Sequence, residues 1–97
     1  MWDVGNVQRF EGTFQFATVF NIDISAWDVS SGTEFVSMFN GASGFNQDLC
    51  LWGNKILMSP LGSASLVSAM FSGSACTTDS DPTLTDSPPG PLCHVCV

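Results

Sequence analysis

The residues best placed to do chemistry are four cysteines, a single histidine and two aspartate and asparagine pairs that recur along the chain. Cys93, His94, Val95 and Cys96 form a C-x-x-C segment with an inner histidine, which offers zinc its usual ligand types and has the spacing of a redox dithiol. A structural zinc site takes four ligands, and only Cys50 and Cys76 remain to complete one. A redox dithiol ordinarily opens a helix after a strand, whereas this pair follows Pro88, Pro89, Gly90 and Pro91. Disulfides are the stronger reading, with a small zinc-binding or redox module as the alternative. Asp23 and Asp48, with Asn21 and Asn46, carry oxygen ligands of the kind calcium takes. Short polar side chains at such positions more often cap turns by bonding nearby backbone N–H groups, and that role is favoured. His94 stands alone in a proline-rich segment, and no two carboxylates form a recognisable acid and base pair. No catalytic residue, cofactor or metal site is expected, and the chain reads as a non-enzyme.

The elements that must position these residues come from a repeat. Trp2, Trp27 and Trp52 stand 25 residues apart. Between them Val4 matches Val29, Phe10 matches Phe35, Phe14 matches Phe39, Ala17 matches Ala42, Phe20 matches Phe45, Asn21 matches Asn46, Asp23 matches Asp48 and Ile24 matches Leu49. A fixed period of this size signals stacked units, each needing a neighbour to bury its apolar face. Phe10, Phe14 and Ala17 fall at i, i+4 and i+7, and Phe35, Met38, Phe39 and Ala42 fill the same face more completely, which predicts a short helix in each coil. Ile22, Ile24 and Ala26 alternate with polar residues, as Leu49 and Leu51 do, which predicts a half-buried strand. Stacked coils would pair these strands in a parallel ladder, with the helices as crossovers.

The fold expected is therefore an α/β repeat solenoid, with leucine-rich-repeat-like coils at 2–26, 27–51 and 52–76 forming a domain over residues 1–76. The third coil is interrupted. Met70 and Phe71 follow Met38 and Phe39 by 32 residues rather than 25, which predicts a loop around 54–62, where Asn54, Pro60 and Gly62 favour turns. Leu66, Val67, Met70 and Phe71 still mark a helical face. Residues 77–97 are rich in Pro, Ser, Thr and Asp and end in CHVC; they read as a disordered tail or as an irregular cap pinned by Cys93 and Cys96. Cys50 and Cys76 end successive coils, which favours a Cys50–Cys76 bond with Cys93 joined to Cys96, crossed pairings remaining open.

Nine acidic residues against two basic ones give a net charge of −7, which opposes binding to phosphate backbones and anionic lipid. No apolar run approaches the length of a membrane span. The chain opens inside a repeat, with Met1 where Ala26 and Leu51 stand in the later copies, and so reads as the C-terminal fragment of a longer repeat protein.

FNQDL at 45–49, WDVSS at 27–31 and SMFNGAS at 37–43, recurring at a period of 25, resemble the BspA-like leucine-rich repeat surface proteins, a family of short tandem repeats also known as a Mycoplasma-type domain of unknown function. The family coil reads close to F-N-Q-D-I-S-x-W-D-V-S-x-V-T-x-M-x-x-M-F-x-x-A, and this chain departs from it at Gly32, at Phe35 and in the third-coil insertion. The ending, MFSGSAC followed by PPGPLCHVC, resembles the C-terminal boundary of family members from unicellular algae such as diatoms. The resemblance implies a secreted or cell-surface, extracellular module for adhesion or protein binding, without enzymatic activity. The polar positions of the ladder, Asp23, Ser25, Gln47 and Asp48, are the interaction face expected to meet a protein or a surface glycan.

Overall fold

The computed structural model describes residues 3–96, so Met1, Trp2 and Val97 lie outside the described residues, and with them the first member of the tryptophan series. Each repeat is built from tight four-residue turns. The Phe10 carbonyl accepts the Thr13 N–H and the Phe14 carbonyl that of Ala17; Phe35 and Phe39 pair in the same way with Met38 and Ala42, and Val67 and Phe71 with Met70 and Ser74. The third residue of each turn has a positive φ: 63° at Gly12, 60° at Phe16, 56° at Ser37, 75° at Gly41, 54° at Ala69 and 74° at Gly73. That is the signature of a type II turn. Glycine adopts it freely, whereas Phe16, Ser37 and Ala69 are held there at about 1–2 kcal/mol each.

A second set of hydrogen bonds holds them. The N–H groups of Phe10, Gly12, Phe14 and Phe16 donate to the carbonyls of Glu34, Val36, Met38 and Asn40, at 2.7–3.0 Å. Those of Phe35, Ser37, Phe39 and Gly41 donate to Leu66, Ser68, Met70 and Ser72 over the same distances. Alternate amides thus reach the next repeat, and the amides between them, such as Thr13, Gln15 and Ala17, close turns within their own. Phe10, Phe14, Phe35 and Phe39 are thus each fixed both along their repeat and across to its neighbour.

The α/β repeat solenoid with its parallel strand ladder is not formed. Among the described residues there is one α-helix, α1 (Trp52–Leu57), one 3₁₀ turn at Gly62–Ala64, and no strand. The helix stands at the start of the interrupted third repeat, where a loop was expected, and 66–71, expected to be helical, consists of turns. The physical reason is that turns recurring every four residues bring i and i+4 to the same side, as a helix does. The strand fails for a different reason. The Asp23 carboxylate accepts the Ser25 N–H at 3.0 Å and the Asp48 carboxylate that of Cys50 at 2.9 Å, and turns at Ile24–Trp27 and Leu49–Trp52 follow at once. These bends bury Ile24 and Leu49 but leave Ile22 64% and Leu51 66% exposed, so the alternation breaks. Among the described residues, parallel pairing between repeats is confined to isolated bridges, Arg9 to Glu34 and Glu34 to Leu66.

The core is a set of aromatic columns. Phe10 stacks on Phe35 at 5.3 Å, Phe14 on Phe39 at 5.5 Å, Phe39 on Phe71 at 5.4 Å, Phe20 on Phe45 at 5.7 Å and Trp27 on Trp52 at 6.4 Å, with ring planes between 5° and 15° of parallel. Such pairs add about 0.5–1.5 kcal/mol each beyond the area they bury. The departures at Gly32 and Phe35 are a single adjustment: a Cβ at Gly32 would lie 2.5 Å from Cζ of Phe35, so the phenyl fills the space a side chain would need. Beside the rings, Asn21 Oδ1 accepts the Asn46 N–H of the following repeat at 2.9 Å, and Asn46 Oδ1 accepts the Thr77 N–H just after the third repeat at 3.3 Å.

The proline-rich stretch folds back over the far end. Thr78 and Cys93, and Thr83 and Gly90, form antiparallel bridges, Leu49 donates to the Leu92 carbonyl, and Leu84, Leu92 and Cys93 are buried with the repeat core. This return path decides the disulfides. The expected pairing of Cys50 with Cys76 and of Cys93 with Cys96 is replaced by the crossed one, Cys50–Cys96 and Cys76–Cys93. Thr78 bonds the Cys93 carbonyl at 3.0 Å, which lays Cys93 beside Cys76 and carries Cys96 on to Cys50.

Candidate functional site

Two successive repeats present the same local device. In each, an aspartate bends the chain by accepting the N–H two residues on, which projects the carboxylate outward while the next residue, Ile24 or Leu49, turns into the core. Because the devices lie 25 residues apart on stacked repeats, Asp23 and Asp48 come to one surface. They line an open depression of about 320 Å³ together with Ser25, Gln47, Cys50 and Leu51. The four residues expected on sequence grounds to form the interaction face are thus brought together.

Each lining residue has a defined state. The Asp23 carboxyl is held below the ordinary carboxylate range by the Ser25 side chain and backbone N–H, with desolvation opposing weakly. Gln47 is a brace: its amide Nε2 donates to the Asn21 carbonyl at 3.2 Å and to Asn21 Oδ1 at 2.9 Å, which fixes its position across the repeat junction. Cys50 contributes its bond to Cys96, so the cap is fastened at the rim. Leu51 adds an exposed apolar wall. The lining is rich in oxygen acceptors, carries two carboxylates and has no basic side chain. It suits a ligand that brings hydroxyl, amide or cationic donors and a small apolar surface.

Cys50 and Leu51 were missed as lining residues because the strand pattern placed Leu51 inward; the signal that could have found them is the aspartate two positions before Cys50. The cysteines are not in the state that the zinc reading required. All four are in disulfides, so none is a thiolate able to hold zinc, and Cys93 and Cys96 are not bonded to each other as a redox pair would be. Among the described residues no group of three or more His, Cys, Asp or Glu side chains is arranged to hold a metal ion. His94 lies in the cap, with Nε2 buried and without a hydrogen-bond partner there. Of the described helices, none is long and apolar enough to cross a membrane.

Residues 1–75 match the family described as "Mycoplasma protein of unknown function, DUF285". The chain belongs to this family. In this DUF285 protein the match takes in the three turn repeats and stops just before Cys76, so that both disulfides and the returning segment use residues beyond it. No curated protein and no solved structure matches the chain.

Proposed function

We propose that this DUF285 chain is a non-enzymatic, extracellular or cell-surface repeat module that binds a protein or a surface glycan through the face formed by Asp23, Ser25, Gln47 and Asp48. The observation that supports it is the convergence of polar residues from two successive repeats on one depression, against an exposed leucine. Two disulfides suit an oxidising compartment. The net charge of −7 favours partners with donor or cationic groups over nucleic acid or anionic lipid. The resemblance to BspA-like surface proteins points the same way.

The test uses the oxidised chain, immobilised and screened against arrays of glycans and of extracellular proteins. Binding to a defined ligand is expected, weakened about tenfold or more by Asp23→Ala combined with Asp48→Ala, as loss of charge-assisted hydrogen bonds would do. A ligand held equally well by that variant would place binding elsewhere and overturn the assignment.

A further inference from the structure

The two disulfides differ in how far a solute can reach them. Cys93 is fully buried and Cys76 is 9% exposed, both inside the repeat core, which shields the Cys76–Cys93 bond. Cys50 and Cys96 are half-buried, and Cys50 lines the open depression with Asp23, Ser25, Gln47, Asp48 and Leu51. Exchange with an outside thiol depends on access and on which sulfur is attacked. The depression gives access to Cys50, which leaves Cys96 as the departing sulfur. Opening this bond would not release the cap. Cys76 stays joined to Cys93, the Leu49 and Thr78 N–H groups keep the Leu92 and Cys93 carbonyls at 3.1 and 3.0 Å, and Leu84 and Leu92 remain in the core. What loses its fastening is the end of the cap after Cys93, where Val95 is already 66% exposed.

Charge around the entry selects the thiol. The Asp48 carboxylate accepts the Cys50 N–H at 2.9 Å, Asp23 shares the lining, and no basic side chain does. The chain's two cations are engaged elsewhere: Arg9 pairs with Glu34 at 2.7 Å, and Lys55 donates to the Trp27 carbonyl at 2.9 Å. An attacking thiolate is itself negative, so further negative charge on the reagent is opposed and positive charge is favoured. We infer that Cys50 is a thiol–disulfide exchange site for small thiols with neutral or cationic substituents, and that the Cys50–Cys96 bond is a redox clasp on the rim of the depression. In the first step the incoming thiolate bonds to Cys50 Sγ, the Cys50–Cys96 bond breaks, and its electron pair leaves on Cys96 Sγ, which takes up the proton that the reagent thiol gave to water. A second thiolate then bonds to the sulfur of the first reagent, and Cys50 Sγ departs with the electron pair and is protonated likewise. Two reagent thiols are oxidised to their disulfide as one protein disulfide is reduced to two thiols. Any effect of the clasp on ligand binding rests on the binding role proposed above for the depression; the exchange itself does not depend on it.

The test exposes the oxidised chain, in native buffer at low salt, to cysteamine, mercaptoethanol or mercaptoethanesulfonate, whose substituents are cationic, neutral and anionic. Alkylation at intervals, followed by mass mapping, gives the rate at each cysteine per unit of reagent thiolate. Cys50 and Cys96 are expected to be released at least about tenfold faster than Cys76 and Cys93, with the mixed disulfide on Cys50. Cysteamine should outpace mercaptoethanesulfonate by about tenfold, with mercaptoethanol between them. That difference should shrink to about twofold in about 1 M salt, and in Asp23→Asn combined with Asp48→Asn, where an amide oxygen can still accept the Cys50 N–H. In the chain opened and alkylated at Cys50 and Cys96 alone, amide shifts should move at Ser25, Gln47, Asp48 and Leu51 and hold at Phe14, Phe39 and Phe71. Release of all four thiols in one phase, adducts on Cys96, rates indifferent to the charge of the reagent, or collapse of the shifts at the stacked phenylalanines would each overturn the inference.

Discussion

Replacing Ala69 by glycine separates the turn architecture from the helix that the residue pattern suggests, because the two give opposite signs. In a helix interior, glycine in place of alanine costs about 0.8–1.0 kcal/mol. Here Ala69 is the third residue of the Val67–Met70 turn with φ 54°. An L-residue in that conformation carries about 1–2 kcal/mol that glycine does not, and glycine's extra backbone freedom in the unfolded chain returns about 0.5–1 of it. The net expectation is stabilisation by roughly 0.5–1 kcal/mol. Ser37→Gly, in the same column with φ 56°, should behave alike. The assay is urea denaturation of the oxidised chain followed by tryptophan fluorescence, with the slope required to stay constant so that the midpoint reports stability. A midpoint lowered in both variants by the equivalent of about 1 kcal/mol would refute the turn assignment.

Phe39→Ala removes a fully buried ring that stacks on Phe14, Phe45 and Phe71, and should cost at least about 3–5 kcal/mol, while Phe16→Ala, at a ring 69% exposed, should shift the urea midpoint by well under 1 kcal/mol. Gly44→Ala would bring a Cβ within 2.5 Å of the Thr18 carbonyl oxygen and should lower the melting temperature, at a cost of about 1–3 kcal/mol for prising two repeats apart. Proteolytic mapping of the unreduced chain should recover Cys50 with Cys96 and Cys76 with Cys93, and replacing the first pair by serine should cost about 2–5 kcal/mol in thermal unfolding. Asp23 and Asp28 have carboxyl pKa values lowered from 3.8 by hydrogen bonds from Ser25 and Ser30, so their contribution to stability is fully present above that value and is lost as pH falls through the lowered one. Acid unfolding curves should lose part of this slope in Asp23→Asn.

The period of 25, the aromatic partners and the recurrence of Asp23 at Asp48 were legible because they depend only on which residue recurs at which spacing; Ser25 and Gln47 do not recur, their counterparts being Cys50 and Ile22. Turn and helix were not distinguishable by that means, since Phe35, Met38, Phe39 and Ala42 satisfy both. The columns did carry a signal: Gly12 heads one, and Gly41 and Gly73 occupy the other, where left-handed backbone is needed. Phe16, Ser37 and Ala69 in those columns concealed it. The alternation of Ile22, Ile24 and Ala26 misled because Asp23 bonds the backbone two residues on, a local interaction that outcompetes an extended strand. The disulfide pairing depended on the path of residues 77–96, and four cysteines alone admit three pairings.

Because the placement of Asp23 and Asp48 on one surface follows from the stacking of turn repeats, the most direct measurement is of scalar couplings across hydrogen bonds in the labelled, oxidised chain. Stacked turns require couplings from the Phe14 amide to the Met38 carbonyl and from the Phe39 amide to the Met70 carbonyl. Couplings from Phe14 and Phe39 to the carbonyls four residues before them would instead establish helices and contradict the stacked turns.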